Sequence, residues 1–269
     1  MLRLKDIKIV CSKEELAAIP EGKVLINTIN AHSYNTAQKD ELFAKSLTPN
    51  PSPKGEGNFK GEEDYVKYLI PDGASVVKAC RWLKAKSQPK ERIAGWDLFE
   101  FEMGKQEERG RRKEEGEHQT PKSQKPLIYF MGSSEKVLGM IREKAKVMYP
   151  HVEVVTYSPP YKPEFTEEDN AAIIKAINDA NPDLLWIGMT APKQEKWAYS
   201  HWGELDIHCH CGTIGAVFDF FAGTAKRAPK WWQEHSLEWL YRLIIEPKRM
   251  WRRYIIGNTL FIWNIWKEK

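Results

Sequence analysis

Residues 126–157 read PLIYFMGSSEKVLGMIREKAKVMYPHVEVVTY, and the fold is decided in this stretch. The run 126–131 is short and apolar and stops at Gly132, which predicts a buried strand. Ser133 or Ser134 can cap a following helix, with Glu135 and Lys136 in its first turn and an apolar period running through Val147. The run 152–157 is apolar again. Strand, helix and strand in about thirty residues is the unit from which parallel sheets are built. Working outward, 24–29 (VLINTI), 66–70, 183–188 and 206–211 read as further strands. Helical periods cover 34–47, with Leu42, Phe43 and Leu47 facing inward, and 76–86. A helix over 167–180 starts at Thr166, which has Asp169 three residues on, the spacing of a capping box. The pattern predicts an α/β fold: a Rossmann-like, mostly parallel sheet with helices on both faces. In such sheets ligands sit beyond the carboxyl ends of the strands.

Two stretches lack core residues. Residues 48–61 (TPNPSPKGEGNFKG) carry three prolines and three glycines; residues 104–125 carry twelve charges and no Val, Ile, Leu, Phe, Tyr or Trp. Neither can offset its ordering entropy by burial, so both are expected to be solvated insertions.

At 269 residues, 42% hydrophobic and 29% charged, the chain can bury a core of ordinary size, which excludes wholesale disorder. No run of about 18 apolar residues is present to span a bilayer. The start lacks a signal-like apolar region, and four cysteines (Cys11, Cys80, Cys209, Cys211) are too few for a disulfide scaffold. These features predict a cytoplasmic protein. The net charge of +4 is unevenly spread: residues 226–269 hold ten basic and four acidic residues, so everything before them sums to −2. The same segment holds six of the eleven tryptophans: Trp231, Trp232, Trp239, Trp251, Trp263 and Trp266. The expected organisation is an α/β domain over 1–225 and a basic, tryptophan-rich, helical appendage over 226–269. Tryptophans and cations together suit a lipid headgroup layer. They also seat single-stranded nucleic acid, but no nucleic-acid partner is expected.

The strand-end loops carry the candidate chemistry. Asp72 follows the strand 66–70 in I-P-D-G; it reads either as a turn residue or as a general base taking a proton from an acceptor hydroxyl. Thr28 and Asn30 alternate, so their side chains leave one face of the strand, as sheet polar residues or as a pair aimed into the crevice. Lys193, Gln194 and Glu195 offer a cation, an amide and a carboxylate suited to a sugar and its phosphate, or form a solvated helix start. The turn 132–134 lacks both the G-x-G-x-x-G spacing and the P-loop pattern. His208, Cys209, His210 and Cys211 alternate on a predicted strand and cannot close around one zinc. No D-x-D occurs to seat a divalent metal on a nucleotide diphosphate. Asp219, in an apolar run, reads as a buried helix-end acid paired with a cation such as Arg227, or as a ligand contact.

Several pieces occur in an order that resembles the WecG/TagA/CpsF family of bacterial glycosyltransferases: INTINAHS (26–33), IPDGASVV (70–77), ERIAGWDLF (91–99), APKQEKW (191–197), GAVFDFFAG (215–223), KRAPKW (226–231) and LEWLYRLIIEPKRMWRRY (237–254). The likeness covers the chain outside the two insertions, which the family does not usually carry. It implies an inverting hexosyltransferase that moves a sugar, N-acetylmannosamine in the best-known case, from a UDP-sugar to undecaprenyl-diphosphate-linked N-acetylglucosamine. The product would enter cell-surface polysaccharide, with the enzyme peripheral on the inner face of the plasma membrane and needing no metal or other cofactor. Asp72 stands at the family's general base. Thr28 and Asn30 line the same pocket, Gln194 contacts substrate, and Arg242, Arg249, Arg252 and Arg253 reach the acceptor diphosphate and the membrane. Lys193, Glu195 and Arg227 are expected beside the substrate, with Arg227 or the tail arginines meeting the UDP charge before Lys193. Ser75 stands where the family often has a second glycine. Another UDP-hexose donor in exopolysaccharide synthesis and a non-catalytic binding protein are the alternatives, and a homo-oligomer is left open.

Overall fold

Six apolar runs become the six strands of one parallel sheet. The computed structural model describes residues 2–49, 66–115, 125–235 and 237–269. In chain order it contains α1 (Lys13–Ala17), β1 (Val24–Ile29), α2 (Ala31–Ala37), α3 (Glu41–Leu47), β2 (Val66–Pro71), α4 (Ala74–Leu83) and α5 (Gly95–Glu114). There follow β3 (Leu127–Gly132), α6 (Glu135–Met148), β4 (Glu153–Tyr157), α7 (Glu167–Ala180), β5 (Leu184–Gly188) and α8 (Lys193–Ser200). The chain ends with β6 (His210–Thr213), α9 (Gly215–Ala222), α10 (Lys230–Glu234), α11 (Glu238–Ile245), α12 (Pro247–Trp251) and α13 (Gly257–Glu268). A π-helical turn over Arg252–Ile256 joins α12 to α13 in one continuous helix that Pro247 opens at its first position. The sheet order is β2-β1-β6-β5-β3-β4, every pair parallel. Buried on both faces, β1, β3 and β5 read as near-continuous apolar runs, which is why the α/β class was legible.

Helices cover both faces. On one, α5, α6 and α9 pack a ring cluster onto the sheet: Phe99 lies 4.9 Å from Phe221 and 5.6 Å from Trp186, and Phe130 lies 5.2 Å from Phe218. On the other, α7 and α8 cover Tyr129, Leu185 and Ile187, while α2, α3, α4 and α13 enclose Ile29, Leu69, Tyr34 and Phe43. The C-terminal helix therefore belongs to the core. Phe261 and Ile265 are buried in that cluster, Phe261 packs edge-on to Tyr34 at 5.3 Å, and Glu268 accepts from the backbone N–H groups of Leu4 (3.0 Å) and Lys5 (3.1 Å) and from the Tyr34 hydroxyl.

The local capping signals operate as expected: the Ser134 hydroxyl accepts from Val137 N–H, and Thr166 and Asp169 close a reciprocal capping box. Four expectations are corrected. The helix expected over 34–47 is two helices, because Asn30 caps α2 and the Asp40 carboxylate caps α3 by accepting from Phe43 N–H at 2.9 Å; Leu42 then faces outward. The strand expected over 206–211 begins only at His210, with His208 exposed before it and the His210 ring held between Glu102 (2.8 Å) and the Pro20 carbonyl (2.9 Å). Asp219 is exposed rather than buried, and accepts from the Thr224 hydroxyl at 3.1 Å; Arg227 pairs elsewhere.

The fourth correction is larger. Residues 104–114, expected to be solvated, are the second half of α5. Glu, Gln, Arg and Lys are strong helix formers, and pairs such as Arg111–Glu115 (3.1 Å) and Arg112–Glu108 lace the exposed side. The inner side docks without large apolar residues. Gln106 and Gly110 are buried, Arg109 reaches Asp183 at 3.0 Å, and Glu107 accepts from His151 N–H at 3.0 Å. A Cβ at Gly110 would overlap the His151 carbonyl oxygen, so the backbone itself makes the approach. Residues 116–124 of that expected insertion, and 50–61 of the other, lie outside the described residues.

Candidate active site

Parallel strands bring the loops after β1 and β2 side by side. Thr28 is in register with Ile70, and Ile29 with Pro71, so Asn30 and Asp72 emerge next to each other. The Asp72 amide donates to the Ile29 carbonyl at 3.0 Å, which fixes its backbone at the sheet's carboxyl edge. Its half-buried carboxylate accepts from Asn30 Nδ2 at 3.2 Å through Oδ2 and from the Gly95 amide at 3.2 Å through Oδ1. Asn30 is itself held, because its Oδ1 accepts from the His32 and Ser33 amides at 3.0 and 3.1 Å while capping α2. The half-buried Thr28 places its methyl beside Gly95. Asp72, Asn30 and Thr28 thus lie together around Gly73 and Gly95, and the carboxylate is aimed by two donors while part of it faces solvent.

Sequence reasoning missed a cation that lies in the field of this carboxylate. The Ile93 amide donates to the Pro71 carbonyl at 3.0 Å, wrapping residues 92–95 around Asp72. Arg92 within that wrap donates to Glu238 Oε2 at 3.0 Å. Burial opposes its charge, but the hydrogen bond it donates to Glu238 and the fields of Glu238, Asp72 and Asp97 more than compensate, so the guanidinium is held charged. Glu238 also accepts from Arg242 Nη2 at 3.4 Å, and the Arg242 guanidinium lies over Phe220 at 4.8 Å. Arg227 approaches Asp97 at 3.9 Å and lies over Trp96 at 5.4 Å. Arg92 thus lies in the field of Asp72 and shares Glu238 with Arg242, while Arg227 pairs with Asp97, whose field also reaches Arg92. The signal for Arg92 was its place in ERIAGWDLF, but nothing local pairs it with a residue 146 positions away.

The other tail arginines do not join this cluster. Arg249 pairs with Glu246 at 2.8 Å on the surface, and Arg252 is exposed over Trp251 at 5.3 Å. Arg253 is half-buried, within electrostatic reach of His32, and its Nε has no hydrogen-bond partner among the described residues. Arg242 lies on α11, whereas Arg249 and Arg253 follow the new helix start at Pro247.

The segment 193–195 is placed differently from the expectation. Lys193 donates to the Lys162 carbonyl at 2.6 Å and lies over Phe165, toward the β4–α7 loop. Gln194 is buried, its Oε1 accepting from both the Met189 and Gly215 amides at 3.1 Å and its Nε2 donating to Glu195 at 2.8 Å. This amide joins the loops after β5 and β6 from beneath. Glu195 is fully buried, its Oε2 lacks a partner among the described residues, and burial pushes its pKa up to about 7. The folded protein then keeps a proton that the unfolded chain has lost, so stability should fall by about 3 kcal/mol between the ordinary carboxyl pKa and pH 7 and level off above. In Glu195→Gln this slope should vanish: urea midpoints at pH 5 and pH 8 should differ less than in the parent. Parallel pH profiles for the two proteins would contradict the buried, protonated assignment.

Residues 64–269 match the family described as Glycosyl transferase WecG/TagA/CpsF, and the chain belongs to that family. Among curated relatives, it is 30% identical over 188 residues to the N-acetylglucosaminyldiphosphoundecaprenol N-acetyl-beta-D-mannosaminyltransferase of Bacillus subtilis (strain 168). The enzyme of the same name from Bacillus spizizenii (strain W23) is 28% identical over 188 residues. Each match covers 70% of this chain and 64% of the relative, so the chain spans less than two thirds of the length of these relatives.

Proposed function

We propose that this protein is an inverting glycosyltransferase that moves N-acetylmannosamine from a UDP-sugar to undecaprenyl-diphosphate-linked N-acetylglucosamine. The reading is supported by one observation: in a chain of this family, a half-buried carboxylate held by Asn30 and Gly95 lies within electrostatic reach of Arg92, which shares Glu238 with Arg242. Asp72 takes the proton from the acceptor hydroxyl as that oxygen attacks the anomeric carbon, and the bond to the UDP oxygen breaks on the opposite face. Asn30 aims the carboxylate, and Thr28 shapes the floor beside it. The negative charge that develops on the UDP leaving group is met by Arg92, Arg227 and Arg242, whose planar forks suit a diphosphate. Catalysis by these fixed charges predicts turnover that persists in excess EDTA.

The tail supplies a surface for the lipid end of the acceptor. Ile244, Ile245, Ile255, Ile256, Ile262, Trp263 and Trp266 each leave half or more of their surface exposed, with Arg249 and Arg252 among them. Among the described residues no helix is long and apolar enough to cross a membrane, and this exposed band suits a helix lying in the headgroup layer. The direct test is mass spectrometry of products from a panel of UDP-sugars with a lipid-diphosphate-N-acetylglucosamine acceptor. N-acetylhexosamine transfer from UDP-N-acetylmannosamine, with inversion, is the expected product. Preferred use of another UDP-hexose would reassign the donor, and no transfer from any member of the panel would overturn the enzymatic reading.

A further inference from the structure

The guanidiniums of Arg92, Arg227 and Arg242 are all paired within the protein. Arg92 lies in the fields of Glu238, Asp72 and Asp97, Arg242 pairs with Glu238, and Arg227 approaches Asp97, so each of these cations already has a carboxylate partner. A site that receives a diphosphate needs net positive charge, so one carboxylate has to give way. Asp72 is tied to Asn30 and to the Gly95 amide, and Asp97 accepts from the Ala94 amide at 2.7 Å. Glu238 is different: its two oxygens are held only by the guanidiniums of Arg92 and Arg242 among the described residues. The three side chains keep just 20% (Arg92), 14% (Glu238) and 24% (Arg242) of their surface, so the carboxylate sits between the two forks much as an oxyanion would. It comes from α11, none of whose residues is fully buried, so its helix can shift at little packing cost.

Resting on the transferase reading above, we propose that Glu238 is a displaceable electrostatic plug. In the free protein it holds the anion position shared by Arg92 and Arg242, and a substrate diphosphate takes that position by expelling it. The plug keeps two guanidiniums paired in the empty site and sets a threshold: an anion must engage both forks at once to compete with the carboxylate.

The sign of one measurement separates this from a structural salt bridge. In the full chain, Glu238→Gln removes the competing charge, so dissociation constants for a diphosphate probe should fall by about five- to tenfold. Titrations read by calorimetry would use UDP and the soluble geranyl diphosphate in parallel. Tightening toward UDP alone assigns the position to the donor's diphosphate, toward geranyl diphosphate alone to the acceptor's, and toward both to a shared site. If Glu238 only builds the site, Glu238→Gln should bind both probes equally or more weakly, and that result overturns the plug. Glu234→Gln on α10, an exposed carboxylate, should change neither constant. Should Glu238→Gln fail to melt cooperatively, Glu238→Asp carries the test, because a shorter carboxylate cannot reach both forks: it should bind tighter than the parent, and equal or weaker binding again overturns the proposal. Both readouts are binding alone, so they stand or fall separately from sugar transfer.

Discussion

Asp72→Asn is expected to lower turnover by about 10²–10⁴-fold, the range for loss of a positioned general base, with KM little changed. The substitution keeps the shape of the side chain and removes its basicity. An asparagine oxygen can still accept from the Gly95 amide, where Asp72 Oδ1 now sits at 3.2 Å. Its NH₂ would then face Asn30 Nδ2, donor against donor, at the position of the present 3.2 Å hydrogen bond. That mismatch costs about 1 kcal/mol at a half-exposed site, and Asn30 keeps its own anchors at the His32 and Ser33 amides. The melting temperature should therefore move by only a few degrees while product formation all but disappears. Turnover above a tenth of the parent value in a folded Asp72→Asn protein would remove this residue from the base position.

The second large effect is on stability. Phe261→Ala should destabilise the fold by about 3–5 kcal/mol, read from urea unfolding midpoints, because it empties a buried aromatic site. Phe261 lies on α13 and packs against Tyr34 of α2, the helix whose cap is Asn30. The neighbouring Trp263 faces out, half exposed and stacked on Trp266 at 5.5 Å. Trp263→Ser should leave the midpoint within about 0.5 kcal/mol and weaken binding to anionic liposomes. Two substitutions only two residues apart, on opposite sides of the helix, thus divide it into a core face and a docking face. A dispensable tail would show the opposite pattern, with Phe261→Ala costing no more than Trp263→Ser.

How much of this was legible beforehand follows from the range of the interactions. The strands at 24–29 and 184–188 and the caps at Ser134 and Thr166 depend on neighbours within a few residues, and all could be read off the chain. The two halves of the expected helix over 34–47 were separable only by noticing Asp40 as a cap in mid-pattern. The distal half of α5 was misread because composition equates charge with solvation. Gly110 and Gln106 dock there through backbone proximity and hydrogen bonding, which leave no apolar signature.

Within the site, periodicity put Thr28 and Asn30 on one face, and the turn chemistry of I-P-D-G put Asp72 at a strand end; both follow from the order of residues. Folding alone decided that Asn30 would aim Asp72, that Gln194 would join the loops after β5 and β6, and that Arg92 and Arg242 would share Glu238. The physical reason is separation along the chain. Periods and caps are short-range properties, carried by each segment wherever it lies. A carboxylate 146 residues from its guanidinium partner acquires meaning only when the fold brings the start of α11 against the segment before α5.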